Sequence, residues 1–129
     1  MNSINVVIAD DHPIMRLGLR ALLESEPNLK VIGEATNGLE AIELIERLSP
    51  QVAILDFTLP VMNGLEAARH IRAKFPPVWI VLLSISESEA DIRAAFRIGV
   101  DAYILKKSSP QCWSLCEQYS PREGMWDLF

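Results

Sequence analysis

Five short apolar runs recur along the chain, at residues 4–9, 29–35, 52–55, 78–83 and 100–105, and the stretches between them carry helical periodicity instead. Ile14, Leu17 and Leu22 mark the first stretch, Leu39, Ile42 and Ile45 the second, Leu65, Ala68 and Ile71 the third, and Ile92, Ala95 and Ile98 the fourth. Short continuous runs suit buried strands, whereas apolar residues three or four apart suit helices with one face turned inward. Strand and helix therefore alternate throughout, and that alternation leaves few solutions. A parallel sheet with right-handed crossovers and helices on both faces satisfies it, which is the doubly wound α/β class. Punctuation agrees: Pro13 suits a first helical turn, Asn37 and Asn63 suit caps, and Gly99 suits a left-handed helix end.

In this architecture ligands bind beyond the carboxyl ends of the strands, where the strand order reverses. Asp10 and Asp11 follow the first run and Asp56 follows the third. If those strands are neighbours, three carboxylates meet at one edge. Burying carboxylates together is costly, so the cluster needs a cation or has to take up a proton. Mg2+ suits a site built from acids with no His or Cys, because it is held by one or two carboxylates plus water and phosphate oxygens. The fourth run ends in Ser84 and the fifth in Lys106, bringing a hydroxyl and an ammonium to the same rim. Those are the parts that phosphoryl transfer requires, since it consists mostly of positioning and charge neutralisation. A carboxylate can itself be the nucleophile, and Asp56, alone at its strand end, is the candidate. Each residue also has a bland explanation: an Asp pair can cap a helix, a Ser can do the same, and a Lys can sit on the surface. Their conjunction at four strand ends in the required order is what points to chemistry.

With 129 residues, half of them hydrophobic, the chain can bury a substantial core without disulfides or a structural metal. Twelve Lys and Arg against 17 Asp and Glu leave a net charge of -5, which argues against direct nucleic-acid binding. Cys112 and Cys116 have no second pair and no nearby His, so they read as reduced packing residues. No basic leader precedes the first run, and no apolar stretch approaches the roughly 18 residues of a membrane span. A cytoplasmic protein without a membrane partner is the expectation.

The acidic pair Asp10-Asp11, Asp56 with Leu59-Pro60 and Met62-Asn63-Gly64 downstream, Ser84 and Lys106 together resemble the receiver domain of bacterial two-component response regulators. The likeness runs from residue 4 to about residue 108. It implies a flavodoxin-like five-stranded sheet in the order 2-1-3-4-5. It also implies a phosphoacceptor, not an enzyme, in which a sensor histidine kinase or a small phosphodonor phosphorylates Asp56 while Mg2+ is bound. The implied metal ligands are the Asp11 and Asp56 side chains and the Thr58 backbone carbonyl, with Asp10 acting through a water. Lys106 would then pair with phosphoryl oxygens, Ser84 would hydrogen-bond to them, and Tyr103 would be the aromatic that turns inward as Ser84 moves. Tyr103 also reads simply as a half-buried strand residue. Homodimerisation through helical faces belongs to the same likeness.

The chain departs from the family pattern in several places. Ile85 stands where many receivers have a small residue, Thr58 lies two residues beyond Asp56, and Lys107 replaces a common cis proline after Lys106. A retained cis bond there would cost roughly 3–4 kcal/mol. The segments 84–88, 99–103 and 106–110 are most similar to receivers that precede a helix-turn-helix domain involved in transcription regulation, yet QCWSLCEQYSPREGMWDLF follows Pro110. Pro121 and Gly124 limit any fifth helix to about residues 109–119, with Trp113, Cys116 and Tyr119 on one face. The expected organisation is a receiver over 1–119 and an atypical aromatic tail over 120–129, without a DNA-binding output domain. Met125, Trp126, Leu128 and Phe129 give that tail an apolar end that suits an interface, a truncated gene or an altered reading frame.

Two other function classes remain open at this point. An aspartyl phosphatase or phosphotransferase usually carries a second Asp two residues after its nucleophile as general acid, and here that position is Thr58. A phosphorylation-independent interaction module would keep the acidic pocket as a relic and bind through its tail. Flavin binding is disfavoured, because Asp10-Asp11-His12-Pro13 occupies the turn where a phosphate would need glycines and free backbone donors. His12 reads as no more than the start of a helix.

Overall fold

The computed structural model describes residues 3–86 and 88–106. Strands β1 (Ile4–Ala9), β2 (Leu29–Ala35), β3 (Val52–Asp56), β4 (Trp79–Ser84) and β5 (Ala102–Leu105) alternate with helices α1 (Pro13–Glu24), α2 (Gly38–Leu48), α3 (Gly64–Lys74) and α4 (Glu89–Ile98). All strand pairs are parallel, in the order β2-β1-β3-β4-β5. The proposed fifth helix, both cysteines, the Lys106–Lys107 bond and the aromatic tail lie outside the described residues. The expected fifth run shortens at its start, because Val100 and Asp101 belong to the turn that leads into β5.

Successive strand residues alternate between two apolar layers. Val7, Ala9, Ala53, Leu55, Ile80 and Leu82 face the layer that takes in Ile45 of α2, Ile71 of α3 and Ile92 of α4. Val6, Ile8, Ile54, Val81 and Leu83 face the other layer, which takes in Leu23 of α1. Period-two alternation with both faces apolar is what a central parallel sheet demands. Among the described residues α1 is the one helix on its side, and a groove of about 250 Å³ opens beside it, lined by Leu19, Leu22, Ile54, Val81 and Ile104.

Helix ends follow the expected chemistry. Asn37 and Asn63 cap α2 and α3, each side-chain oxygen accepting the N–H of a Glu three residues on at 2.9 Å. Pro13 begins α1, and Gly99 closes α4 at φ 114°, a conformation that glycine adopts without a Cβ clash. The apolar positions of α1 are a correction. Ile14, Leu17 and Leu22 are 84%, 69% and 69% exposed, while Leu23 is buried and Leu19 packs partly against the sheet. Leu39 of α2 is likewise exposed. Apolarity marks where a helical residue can be buried, not where it must be.

A buried ion pair ties the lower ends of β4 and β5. The Arg72 guanidinium donates to Asp101 Oδ2 at 2.6 Å and to the carbonyls of Gly99 and Val78 at 2.9 Å, and the Ile80 N–H donates to the same carboxylate oxygen at 2.9 Å. Asp101 is 1% exposed. Removing one partner of a buried pair strands the other, at a cost of about 3 kcal/mol or more. Asp101→Ala is therefore expected to destabilise the fold by about that amount, read as a lowered urea midpoint; an unchanged midpoint would show that the pair adds nothing.

Candidate functional site

The sheet order reverses between β1, which pairs with β2 on one side, and β3 on the other. Asp10 leaves β1 and Asp56 ends β3, so the two carboxylates stand at the carboxyl edge where the crevice forms. Both are buried, at 0% and 1% exposure. The Asp10 N–H donates to the Ala35 carbonyl of β2 at 3.0 Å, and Arg16 of α1 donates to the Asp10 carbonyl at 2.8 Å. Main-chain bonds thus fix the first carboxylate from two elements.

Lys106 crosses to both acids from the end of β5. Its Nζ lies 3.1 Å from Asp56 Oδ1 and 3.4 Å from Asp10 Oδ2. Its own N–H donates to the Ser84 carbonyl at 2.9 Å, which places the ammonium by extending the β4–β5 pairing one step. Asp10 Oδ1 is occupied as well, accepting from the His12 N–H at 2.9 Å and lying 3.0 Å from His12 Nδ1. Asp56 Oδ1 has the ammonium and a long contact from the Thr58 N–H at 3.5 Å. Asp56 Oδ2, by contrast, is buried without a hydrogen-bond partner among the described residues. A buried carboxylate oxygen left in this state is costly, and the cost is relieved by whatever enters the cleft.

Ligand atoms of Asp10, Asp11, His12 and Asp56 all lie within 4.8 Å of one another. Carboxylate oxygens predominate in this group, and one is free and buried, so the donor set fits a hard divalent cation. His12, which reads in the sequence as no more than the start of a helix, also belongs to this group. It caps α1 without a side-chain cap bond, and its Nδ1 also lies 3.1 Å from Asp11 Oδ1. Its place directly after the acidic pair was the available signal, since three consecutive residues in a tight turn share a rim.

Ser84 ends β4 at 2% exposure, and its Oγ accepts the Ser86 N–H at 2.9 Å. Tyr103 is fully buried, not half-buried; its hydroxyl donates to the Ser86 carbonyl at 2.9 Å, and its ring meets Phe57 edge-on with centroids 6.3 Å apart. Phe57 directly follows Asp56, so the aromatic is packed against the loop of the acid. Thr58 and Ile85 are exposed. The structure therefore gathers Asp10, Asp11, Asp56 and Lys106 in one cleft and links Ser84 to Tyr103 through the turn after β4.

The loop after Asp56 is folded back tightly. The Gly64 N–H donates to the Phe57 carbonyl at 2.9 Å, and Val61 takes a left-handed φ of 68°, which is strained for a β-branched residue. A Cβ on Gly64 would lie 2.2 Å from the Asp56 carbonyl oxygen, whereas one on Gly18 in α1 would meet nothing within 4 Å. Gly64→Ala is expected to cost about 1–3 kcal/mol and to displace Asp56. Gly18→Ala is expected to stabilise the chain by up to about 1 kcal/mol. Urea midpoints of the two variants check the contrast, and equal midpoints would contradict the close approach.

Residues 6–113 match the sequence profile of the response regulator receiver domain. The nitrate/nitrite response regulator protein NarL of Escherichia coli K12 is 41% identical over 106 residues, covering 82% of this chain and 49% of that relative. A protein-glutamate methylesterase/protein-glutamine glutaminase of Pyrococcus horikoshii is 38% identical over 107 residues, covering 82% of this chain and 29% of that relative. Among solved structures, the signal receiver domain of the response regulator NarL from Mycobacterium tuberculosis superposes with a TM-score of 0.81 at 31% identity, covering 95% of this chain and 100% of that one. The chain spans about half the length of the NarL relative it matches.

Proposed function

The chain belongs to the response regulator receiver domain family, and on that footing we propose that Asp56 accepts a phosphoryl group from a sensor histidine kinase or a small phosphodonor. The observation that carries this reading is the buried Asp56 Oδ2, without a hydrogen-bond partner among the described residues, beside an ammonium 3.1 Å from the other oxygen of the same carboxylate. In the transfer, an Asp56 oxygen forms a bond to phosphorus as the bond from phosphorus to the donor's nitrogen or oxygen breaks, and the donor leaves with the electron pair. Lys106 offsets negative charge on the phosphoryl oxygens, and Ser84 donates its hydroxyl to one of them. Asp11, Asp56 and the Thr58 carbonyl would hold Mg2+, with Asp10 acting through a water. That cation would supply charge neutralisation for the transferring group.

This reading makes the chain a phosphoacceptor and not a turnover enzyme. Thr58 occupies the position where aspartyl phosphatases carry their general acid, so no side chain there protonates the leaving group of an outside substrate. The receiver extends over 1–119, followed by the aromatic tail, and it acts in the cytoplasm in a two-component pathway of transcription regulation. No helix among the described residues is long and apolar enough to cross a membrane. The net charge of -5 directs nucleic-acid contact away from this chain.

Incubation with acetyl phosphate is expected to add one phosphoryl mass, about 80 Da, to the intact protein only when Mg2+ is present, and to add nothing to Asp56→Asn. No gain in a folded protein given both a kinase and Mg2+ would favour the interaction-module reading. Phosphorylation is also expected to favour a homodimer through helical faces, so light scattering should report a larger mass with beryllofluoride and Mg2+ than without. A monomer in both conditions removes that part of the proposal.

A further inference from the structure

Four hydrogen bonds converge on Ser86, in the turn between β4 and α4. Its N–H donates to Ser84 Oγ at 2.9 Å, and its hydroxyl donates to Asp91 Oδ2 at 2.5 Å. Its Oγ accepts the Ser88 N–H at 3.2 Å, and its carbonyl accepts the Tyr103 hydroxyl at 2.9 Å. Ser86 thus touches Ser84, Tyr103 and helix α4 together. Asp91 belongs to the first turn of α4, where a carboxylate is favoured by the helix dipole, and it is half-buried. The Ser86–Asp91 bond therefore anchors the turn to a rigid element.

The geometry has a directional consequence. A serine hydroxyl has one proton and two lone pairs. With one lone pair of Ser84 Oγ taken by the Ser86 N–H, the Ser84 proton is left to donate to an anionic oxygen entering the cleft. The same placement of Ser86 puts its carbonyl where the buried Tyr103 hydroxyl donates, with the Tyr103 ring against Phe57. Such groups act fastest when already held in their working arrangement.

We propose that Ser86, clasped to Asp91, is the positioning residue of this site, holding Ser84 ready to donate and Tyr103 inward before any phosphoryl group arrives. The proposal rests on the phosphoacceptor reading for its use, but the clasp itself belongs to the unphosphorylated protein. Removing the clasp lets the turn populate other arrangements, and the rate of phosphorylation falls in proportion to the fraction that remains competent.

The test uses the full chain with Tyr119→Phe, which leaves Tyr103 as the single tyrosine of the two in the sequence. Fluorotyrosine labelling then gives one 19F NMR signal that reports the ring position. Without Mg2+ or phosphodonor, the parent protein is expected to show one resonance that beryllofluoride with Mg2+ leaves in place. Ser86→Ala and Asp91→Ala are each expected to split or broaden that resonance and to recover the parent position with beryllofluoride and Mg2+. Ser86→Thr keeps the hydroxyl and is expected to retain the parent spectrum. Phosphorylation by acetyl phosphate should slow about threefold in both alanine variants, matching the lost inward population. A parent spectrum in both alanine variants overturns the proposal, as does a slower rate without a spectral change. Absence of phosphorylation in the parent protein would overturn the phosphoacceptor reading alone, because the spectra without phosphodonor still decide the clasp.

Discussion

Two buried carboxylates share one ammonium at the carboxyl edge of the sheet, and the arrangement around them follows from that constraint. Asp10 and Asp56 are almost fully buried, and Lys106 lies within 3.4 Å of both. Like charges at this depth are tolerable only with an opposite charge between them. Lys106 can reach that point because its N–H continues the pairing with Ser84, which needs β5 beside β4 and β4 beside β3. The strand order is thus what brings the neutralising group to the acids. The remaining imbalance falls on Asp56 Oδ2, the oxygen that no described residue satisfies.

Opposite edges of the sheet are finished in different ways. At the lower end, Arg72 and Asp101 pair closely, and the guanidinium also takes up carbonyls from both adjoining turns. At the upper end, hydrogen-bonding capacity is left open and Val61 holds a strained conformation in the loop beyond Asp56. A satisfied ion pair serves as a fixture, whereas an unsatisfied buried carboxylate oxygen leaves room for a ligand. The length of the strands separates the two, so the fixture stabilises the sheet away from the acidic cleft.

Much of this was legible in the residues. The strands announced themselves because both faces of a central parallel strand must be apolar, which leaves continuous runs such as VVIA and VAIL ending in an acid. The caps at Asn37 and Asn63 were legible because a side-chain oxygen at that position meets an otherwise unpaired N–H. The exposed face of α1 was not legible, since Ile14, Leu17 and Leu22 have helical spacing whether or not a neighbour covers them. Nor was Ser86 visible as a hub. A serine in a polar turn has no pattern of its own, and its partner Tyr103, 17 positions on, becomes a neighbour only when β5 lies against β4. Arg72 and Asp101 escaped for the same reason, being 29 positions apart.

Parallel pairing also governs when the chemistry comes into being. Asp10 and Lys106 meet across 96 positions, and among the described strands no hairpin brings any two together early. Non-local contacts of this kind form late, because the intervening chain must be ordered first. As the chain leaves the ribosome from its N-terminus, Asp10 and Asp11 emerge well before the lysine that neutralises their cleft. Until β5 joins, those carboxylates stay in water, and a half-made protein has no pocket in which to be charged. Completion of the acidic cleft and completion of the sheet are therefore one event.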